Sequence, residues 1–420
     1  MEKGNDTMCT NMGRIDQLTT AVMYSLVETG CSCENISIYF GGNTLNCFPF
    51  PINHTFLISC LYILFFVVVI GAAVGGNLTV VWIILNHERM RTVTNYYLLN
   101  LAVADISITI FNTGFSGSYN LYYNWTFGNF YCPVNNLMGI TPICVSVFTM
   151  IVLSIDRYMA IIYPLRKRPG RNQTLGIIFV IWVVSFLLGL PSYLASKMDT
   201  YYFWDGDYIF KDTVCSQDNF IDGNRSTSTL FKLYNHGLII VQYVIPLAII
   251  CFTYGKTVMV LRKSKNIGDT IQKDSLKAKR KAGNMLALIV VAFTFMWLPY
   301  NLYFLLKQYV FSYLDPKVEN YLFINIYLLG MSSSIVNPFI YYFMNERFCL
   351  GFKYAFRWVP WIKINYAQYR LAYNTKNSWV TSSGAKSHIY INPTGSTNLQ
   401  KKSQIQNSPV NHLPSTGVSV

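Results

Sequence analysis

Asp105 stands in Asn100-Leu-Ala-Val-Ala-Asp105, inside an otherwise apolar run. A bare carboxylate at a bilayer centre costs at least ~2.5 kcal/mol even on a lenient insertion scale, so it must meet other polar groups. Asn77, Ser146, Ser333 and Asn337 also lie in apolar runs and are the candidates. Oxygen ligands around one carboxylate suit a small hard cation, and the expectation is an allosteric Na⁺ at this polar core. The alternative is a protonated Asp105 that only ties helices together. Asp156-Arg157-Tyr158 closes the third apolar run. Arg157 carries five donors and a permanent charge; it can pair with Asp156 or swing to another partner, a bistable element of the kind switches use.

Prolines recur in the last four apolar runs, at Pro191, Pro246, Pro299 and Pro338. Each removes a backbone hydrogen bond and kinks its helix. Pro299 follows Trp297 by two residues, a pairing that reads as a hinge beside a bulky indole; the alternative for Trp297 is ordinary core packing. Cys132 and Cys215 both fall on the side assigned below to the exterior, where disulfides persist, and bridging them would pin the intervening loop over the mouth of a bundle. Cys9, Cys31, Cys33 and Cys47 allow three pairings that sequence does not separate. Cys60, Cys144 and Cys251 read as small buried apolar residues. The five His are scattered, and no phosphate-cradling Gly loop or Gly-x-Ser-x-Gly motif occurs, so catalysis is not expected, and no cofactor beyond the ion.

The elements that must hold these residues follow from hydropathy. Of 420 residues, 52% are hydrophobic and 12% charged, about half the charge of a soluble protein, which points to a bilayer as solvent. Crossing the hydrocarbon takes about 20 apolar residues. Seven stretches qualify: Phe56–Leu85, Thr94–Phe115, Tyr131–Ile162, Leu175–Leu194, Tyr234–Val260, Met285–Leu306 and Tyr321–Phe343. The fold class is therefore an all-α membrane protein, a seven-transmembrane helix bundle over 55–344. It lies between an amino-terminal tail (1–54) and an amphipathic helix 8 (345–362) with a disordered tail (363–420). No signal-peptide core precedes the first span, which would act as its own insertion signal.

Net charge is +14, but it is confined to short blocks between spans and no nucleic-acid-binding signature accompanies it, so nucleic acid is not an expected partner. Eight Lys or Arg lie in 262–281, and nine between Arg347 and Lys402 with no acid after Glu346. The segment between spans 4 and 5 instead carries Asp199, Asp205, Asp207, Asp212, Asp218 and Asp222. Basic residues mark the cytosolic side, which puts the amino terminus outside a plasma-membrane, multi-pass protein and the carboxyl terminus inside. The glycosylation sequons Asn5, Asn35, Asn53, Asn124 and Asn224 all fall outside. The Ser- and Thr-rich, acid-free tail would gain about −1.5 to −2 charge per phosphate, which makes receptor kinases and arrestin expected partners.

Asn77, Asp105, Cys132, Asp156-Arg157-Tyr158, Trp182, Cys215, Pro246, Tyr254, Trp297-x-Pro299 and Asn337-Pro338-x-x-Tyr341 together resemble the rhodopsin-like G-protein-coupled receptors over about 55–360. A narrower resemblance is to the tachykinin (neurokinin) receptors. It is carried by Asp156-Arg-Tyr-Met-Ala-Ile-Ile-Tyr-Pro-Leu165, Ala278-Lys-Arg-Lys281, Phe111-Asn112-Thr113 with Trp125-x-x-Gly128, and above all Leu350-Gly-Phe-Lys-x-Ala-Phe-Arg-x-x-Pro-x-Ile362. The chain departs from the vertebrate members, which carry Glu at Asp105, Cys where Trp358-Val359 stand, and Pro and His at Gly139 and Asn301. It is similar in this to an invertebrate branch whose ligands end in an Arg-amide.

The resemblance implies an extracellular amidated neuropeptide as ligand and a heterotrimeric G protein, of Gq type with calcium release, as partner. Ligand-contacting residues would be Asn112, Asn135, Asn136, Tyr234, Asn235, Asn301, Phe304 and Tyr327, with the acidic loop steering a basic peptide. It also implies a switch through Asp156, Arg157, Tyr158, Tyr254, Trp297, Pro299, Asn337, Pro338 and Tyr341. Lys279 stands where many such receptors carry a Glu partner for Arg157, so the resting state would lean on Asp156 and apolar contacts. The rival readings are a receptor for another amidated peptide, of leucokinin or neuropeptide Y type, and a membrane transporter.

Overall fold

The computed structural model describes residues 45–46, 54–163, 165–204, 209–224, 227–263, 270–307 and 314–373; side chains at 45–46, 202–211, 261–280, 282 and 316 are not described. The expected glycosylation sites Asn5, Asn35 and Asn53, the four amino-terminal cysteines, the Lys279 side chain and the phosphorylation tail lie outside these residues.

Nine helices are labelled among them. The bundle consists of α1 (Phe56–Asn86), α2 (Val93–Tyr122), α3 (Gly128–Ile162), α4 (Arg171–Leu194), α5 (Thr229–Lys263), α6 (Thr270–Leu306) and α7 (Pro316–Met344, broken at Ser332). All seven are long and apolar enough to cross a membrane. Two short helices follow, α8 (Glu346–Ala355) and α9 (Tyr366–Tyr373). Caps mark several starts. Thr92 accepts from the Asn95 amide, Ser228 from Phe231, Asp315 from Lys317 ahead of Pro316, and Asn345 from Arg347, each satisfying a donor with no partner inside its helix.

The distribution of polarity is that of a bundle in lipid. Phe56, Phe65, Phe179, Phe295 and Phe343 project outward and exposed, whereas Asn77, Asn100, Asp105, Asn112, Asn135 and Asn337 are buried. Inside, Asn100 donates to Thr149 and accepts from the Trp182 indole, both at 2.8 Å, tying α2, α3 and α4 together. Of the three cysteines expected to be buried, only Cys144 is; Cys60 and Cys251 sit on the outward, lipid-facing surface, because each lies on the broad apolar face of its helix.

Three features differ from the expected outline. First, α2 runs to Tyr122 and contains a π turn at Thr109–Thr113; α5 contains another at Ile240–Val244, just before Pro246. Second, the loop between α4 and α5 folds into an antiparallel hairpin of β2 (Ser196–Trp204) and β3 (Ile209–Gln217), with β1 (Leu45–Asn46) parallel beside β2. Its Tyr, Phe, Thr and Val content suits strands. Third, α8 ends at Ala355 and α9 occupies part of the stretch expected to be disordered.

The second short helix is held by aromatic packing on the end of α1. Tyr369 stacks on Tyr354 of α8 at 4.2 Å, and Tyr373 is buried against His87. The His87 ring bridges the Ile83 carbonyl (2.8 Å) and the Tyr369 hydroxyl (2.7 Å). Burial pushes the His87 imidazole below its usual range. Its neutral form is therefore the one the fold favours, and the stabilisation from it is lost as pH falls through the lowered value. Protection of the amides at Tyr366–Tyr373, corrected for intrinsic exchange at each pH, is expected to fall on acidification, and a His87→Gln variant is expected to lose that pH dependence.

Candidate functional site

A cavity of about 580 Å³ opens between α3, α5, α6 and α7 beneath the hairpin. Asn136 and Gly139 of α3, Asn235 and Gln242 of α5, Asn301 and Phe304 of α6, and Phe323 of α7 line it, and Trp297 forms part of its wall. Its lining combines amides and aromatics, among them Tyr119 and Asn120 of α2, with the aliphatic Ile140, Ile143, Leu238 and Ile239. The two charged side chains there, Lys307 and Glu319, are paired with each other at 2.9 Å, and the Tyr303 hydroxyl donates to Glu319 at 2.6 Å. This trio joins the end of α6 to the start of α7. It was not anticipated from sequence, although Tyr303 and Lys307 are four apart on one helix face and could have been paired.

The hairpin covers the cavity because Cys215 is bonded to Cys132, at a Cα–Cα distance of 5.6 Å. Around the bond, Trp125 is fully buried, its backbone amide donating to Thr213 and its indole to Gly128. Asn136 donates to Ser196 at 2.8 Å. The Asn124 side chain accepts from the amide and hydroxyl of Thr213, so this sequon asparagine also braces the hairpin. Asn224 is exposed.

Of the eight residues expected to touch a ligand, the structure brings Asn136, Asn235, Asn301 and Phe304 to the cavity lining and sends the other four elsewhere. Tyr234 donates to the Leu188 carbonyl of α4. Asn112, Asn135 and Tyr327 form a buried network: Asn112 donates to Ser116 and to the Asn135 carbonyl, and accepts from Tyr327 at 3.3 Å. The π turn is the physical reason, since it presents Thr109, Asn112 and Thr113 together to the interior. These residues hold α2, α3 and α7 in register beside the cavity. Replacing Asn112 with Ala is expected to leave the Tyr327 hydroxyl with only its longer bond to the Thr113 carbonyl and to remove one donor from Asn135, at about 1–3 kcal/mol. Thermal melting should fall accordingly; an unchanged melting temperature would show that the network carries no stability.

The acidic hairpin is less available for steering than its composition suggests. Asp199 pairs with Lys197 at 2.7 Å. Asp222 accepts from the Ser228 hydroxyl and from the Leu230 amide at 2.9 Å, which holds its carboxyl below the usual range. Asp205 and Asp207 lie outside the described residues.

Deeper in the bundle, Asn337 donates to Asp105 at 2.8 Å. Asn77 donates to the Ser334 carbonyl of α7 at 2.8 Å, while its own side-chain oxygen is buried without a partner. Ser146 is buried on α3, Ser334 rather than Ser333 hydrogen-bonds Asp105, and Ser333 accepts from the Trp297 indole at 3.0 Å. The Trp297 indole of the cavity wall is thus bonded to Ser333, the neighbour in sequence of the Ser334 whose carbonyl takes Asn77. At the far end, Arg157 pairs with Asp156 at 2.9 Å, its Nε unpartnered. Tyr254 reaches Asn284 at 3.4 Å, and Tyr341 is fully buried against Phe348. Tyr158 packs near Phe252 of α5.

A family model described as seven-transmembrane receptor (rhodopsin family) matches residues 76–341. Among curated proteins, the tachykinin-like peptides receptor 99D of Drosophila melanogaster is 36% identical over 321 residues, 76% of this chain and 61% of that protein. The probable G-protein coupled receptor tkr-1 of Caenorhabditis elegans is 38% identical over 310 residues, 72% of each. The human neuromedin-K receptor is 40% identical over 308 residues, 73% of this chain and 63% of that one.

Proposed function

This chain belongs to the rhodopsin family of seven-transmembrane receptors, and from that premise we propose that it is a receptor for a tachykinin-like amidated peptide that signals through a heterotrimeric G protein of Gq type. The amino terminus lies outside the cell and the carboxyl terminus in the cytosol, as the basic blocks at 262–281 and beyond Glu346 favour.

The observation that carries the ligand chemistry is the cavity lining. A volume near 580 Å³ is within the ordinary range for small-ligand sites, so it admits one end of a peptide. Its amides can pair with a carboxamide, and the one cation among its described lining residues, Lys307, is already neutralised by Glu319. A free carboxylate would have to be desolvated there without a counterion, which is costly. The neutral amide is thus favoured over the acid.

Binding that favours the active state shifts a pre-existing equilibrium. Trp297 and the backbone hydrogen bond that Pro299 lacks inside α6 let α6 pivot, Arg157 leaves Asp156, and Tyr254 and Tyr341 repack to open the inner end to the G protein. Receptor kinases and arrestin act later on the tail. The test is a calcium assay on cells expressing the full chain, with tachykinin-like peptides as amides and as free acids beside leucokinin- and neuropeptide Y-type amides. Potency confined to tachykinin-like amides is expected. Equal potency of the acids would sink the cavity argument, and a response only to another peptide class would sink the ligand assignment.

The chemistry of the polar core suits the expected Na⁺: Asp105 supplies charge, Asn77 an unpartnered oxygen and Ser334, which hydrogen-bonds Asp105, a hydroxyl oxygen, while the expected Ser333 is held by the Trp297 indole and Ser146 is buried. A cation there neutralises Asp105 and holds α2, α3 and α7 in the resting arrangement. Agonist affinity is expected to fall when sodium replaces a large inert cation, and Asp105→Asn to abolish the difference. An unmodified receptor indifferent to sodium would refute the site.

A further inference from the structure

A second cavity, of about 310 Å³, lies at the opposite end of the bundle from the first, between the last turns of α3, the start of α4 and the segment joining them. Its two halves differ in chemistry. Val152 and Ile155 of α3 and Ile177 of α4 form one wall, with Ile155 facing outward, on the side that meets lipid. Arg166, Lys167 and Arg168 form the rim. All three are exposed, and none is in an ion pair among the described residues. The one acid at the cavity, Asp156, is already paired with Arg157.

Apolar wall below and unpaired cations above is the layering of a phospholipid at the edge of a bilayer. We propose that this cavity binds an anionic phospholipid of the inner leaflet, its headgroup phosphate on Arg166, Lys167 and Arg168 and an acyl chain along Val152, Ile155 and Ile177. The proposal rests on the orientation given above, which places this end of the bundle in the cytosol. Basic pockets between helices on that side attract anionic headgroups. A soluble acidic peptide could use the rim but has no use for a wall that faces hydrocarbon. The segment that carries the three cations begins one residue past α3, six residues after Arg157. A lipid held there restrains the same turn of chain whose Asp156–Arg157 pair must open in signalling.

The test is native mass spectrometry of the purified full-length receptor from mixed micelles of phosphatidylcholine with phosphatidylserine or phosphatidylinositol 4,5-bisphosphate. The parent is expected to retain the anionic lipids over phosphatidylcholine. Each of Arg166→Gln, Lys167→Gln and Arg168→Gln is expected to weaken retention about fivefold, from roughly 1 kcal/mol per cation at the surface, and the triple variant to erase the preference. Ile155→Asn is expected to weaken the lipid but not the soluble headgroup.

Equal retention by parent and triple variant would overturn the proposal. So would a soluble inositol phosphate binding as tightly as the lipid, which would make this a headgroup site, or loss of retention in a Lys363→Gln, Arg370→Gln control, which would make it a general charge effect. Melting of the triple variant in phosphatidylcholine alone, matched to the parent, guards against misfolding. None of these readouts needs agonist or G protein, so they stand apart from the peptide assignment. Antibody access to an epitope in the 163–170 segment on intact cells tests the orientation separately.

Discussion

Replacing both Cys132 and Cys215 with Ser is expected to remove the largest single stabilising constraint on the receptor's outer face. The bond closes a loop of sequence separation 83, and the chain-entropy relation gives about 4.5 kcal/mol for that length. The helices at either side already restrict the open chain, so this is an upper figure. The hairpin would then depend on the bonds from Asn124, Asn136 and Trp125, each worth about 1 kcal/mol net. Surface expression should drop, and what reaches the surface should bind peptide weakly, because β3 forms part of the cavity wall through Cys215 and Gln217. Radioligand binding and melting of solubilised protein measure both effects. Melting within a degree of the parent would show that the hydrogen bonds alone hold the lid.

The second large effect is expected at Trp297. Its indole is 5% exposed, packs on Phe293 and Tyr300, lies against Gly330 and donates to Ser333. Truncation to Ala should cost about 3–5 kcal/mol if the space does not refill. Trp297→Phe keeps most of the volume and loses only the N–H. The Ala variant is expected to melt well below the parent and to signal poorly. The Phe variant should fold normally while altering the sodium response, because Ser333 loses its donor from α6. A Phe variant that matches the parent, sodium response included, would mean that packing alone matters and that the indole N–H does not link cavity to polar core.

Much of the bundle was legible because the bilayer imposes simple rules. A helix must be long and apolar to cross, so the seven spans stand out. A polar residue in such a run must face inward, so Asn77, Asp105 and Asn337 could be grouped before any coordinates. The Cys132–Cys215 pair followed from compartment.

What was not legible depends on rotation about a helix axis. Asn135 and Asn136 are adjacent in sequence, yet one braces α2 and the other lines the cavity, and composition alone does not separate bracing amides from lining ones. The π turns leave no proline or glycine signature at their centres. Ser332, Ser333 and Ser334 are adjacent, and only the fold shows that Ser333 takes the Trp297 indole while the Ser334 carbonyl takes Asn77. The helix at Tyr366–Tyr373 leaves little trace in the sequence because its anchor His87 is remote along the chain and the surrounding composition is that of a tail.

The π turn at Thr109–Thr113 also bears on how positions are matched between relatives. Such a turn absorbs one additional residue locally while the α-helical segments on either side keep their faces. A relative with one residue fewer in this stretch would present the same inner and outer halves of α2 to the same neighbours, with every outer residue displaced by one in number and by nothing in space. Equivalences for Ser116, Tyr119 and Asn120 are therefore found by counting back from Trp125 and Gly128. Counting outward from Asp105 would pair each of them with a side chain that points elsewhere.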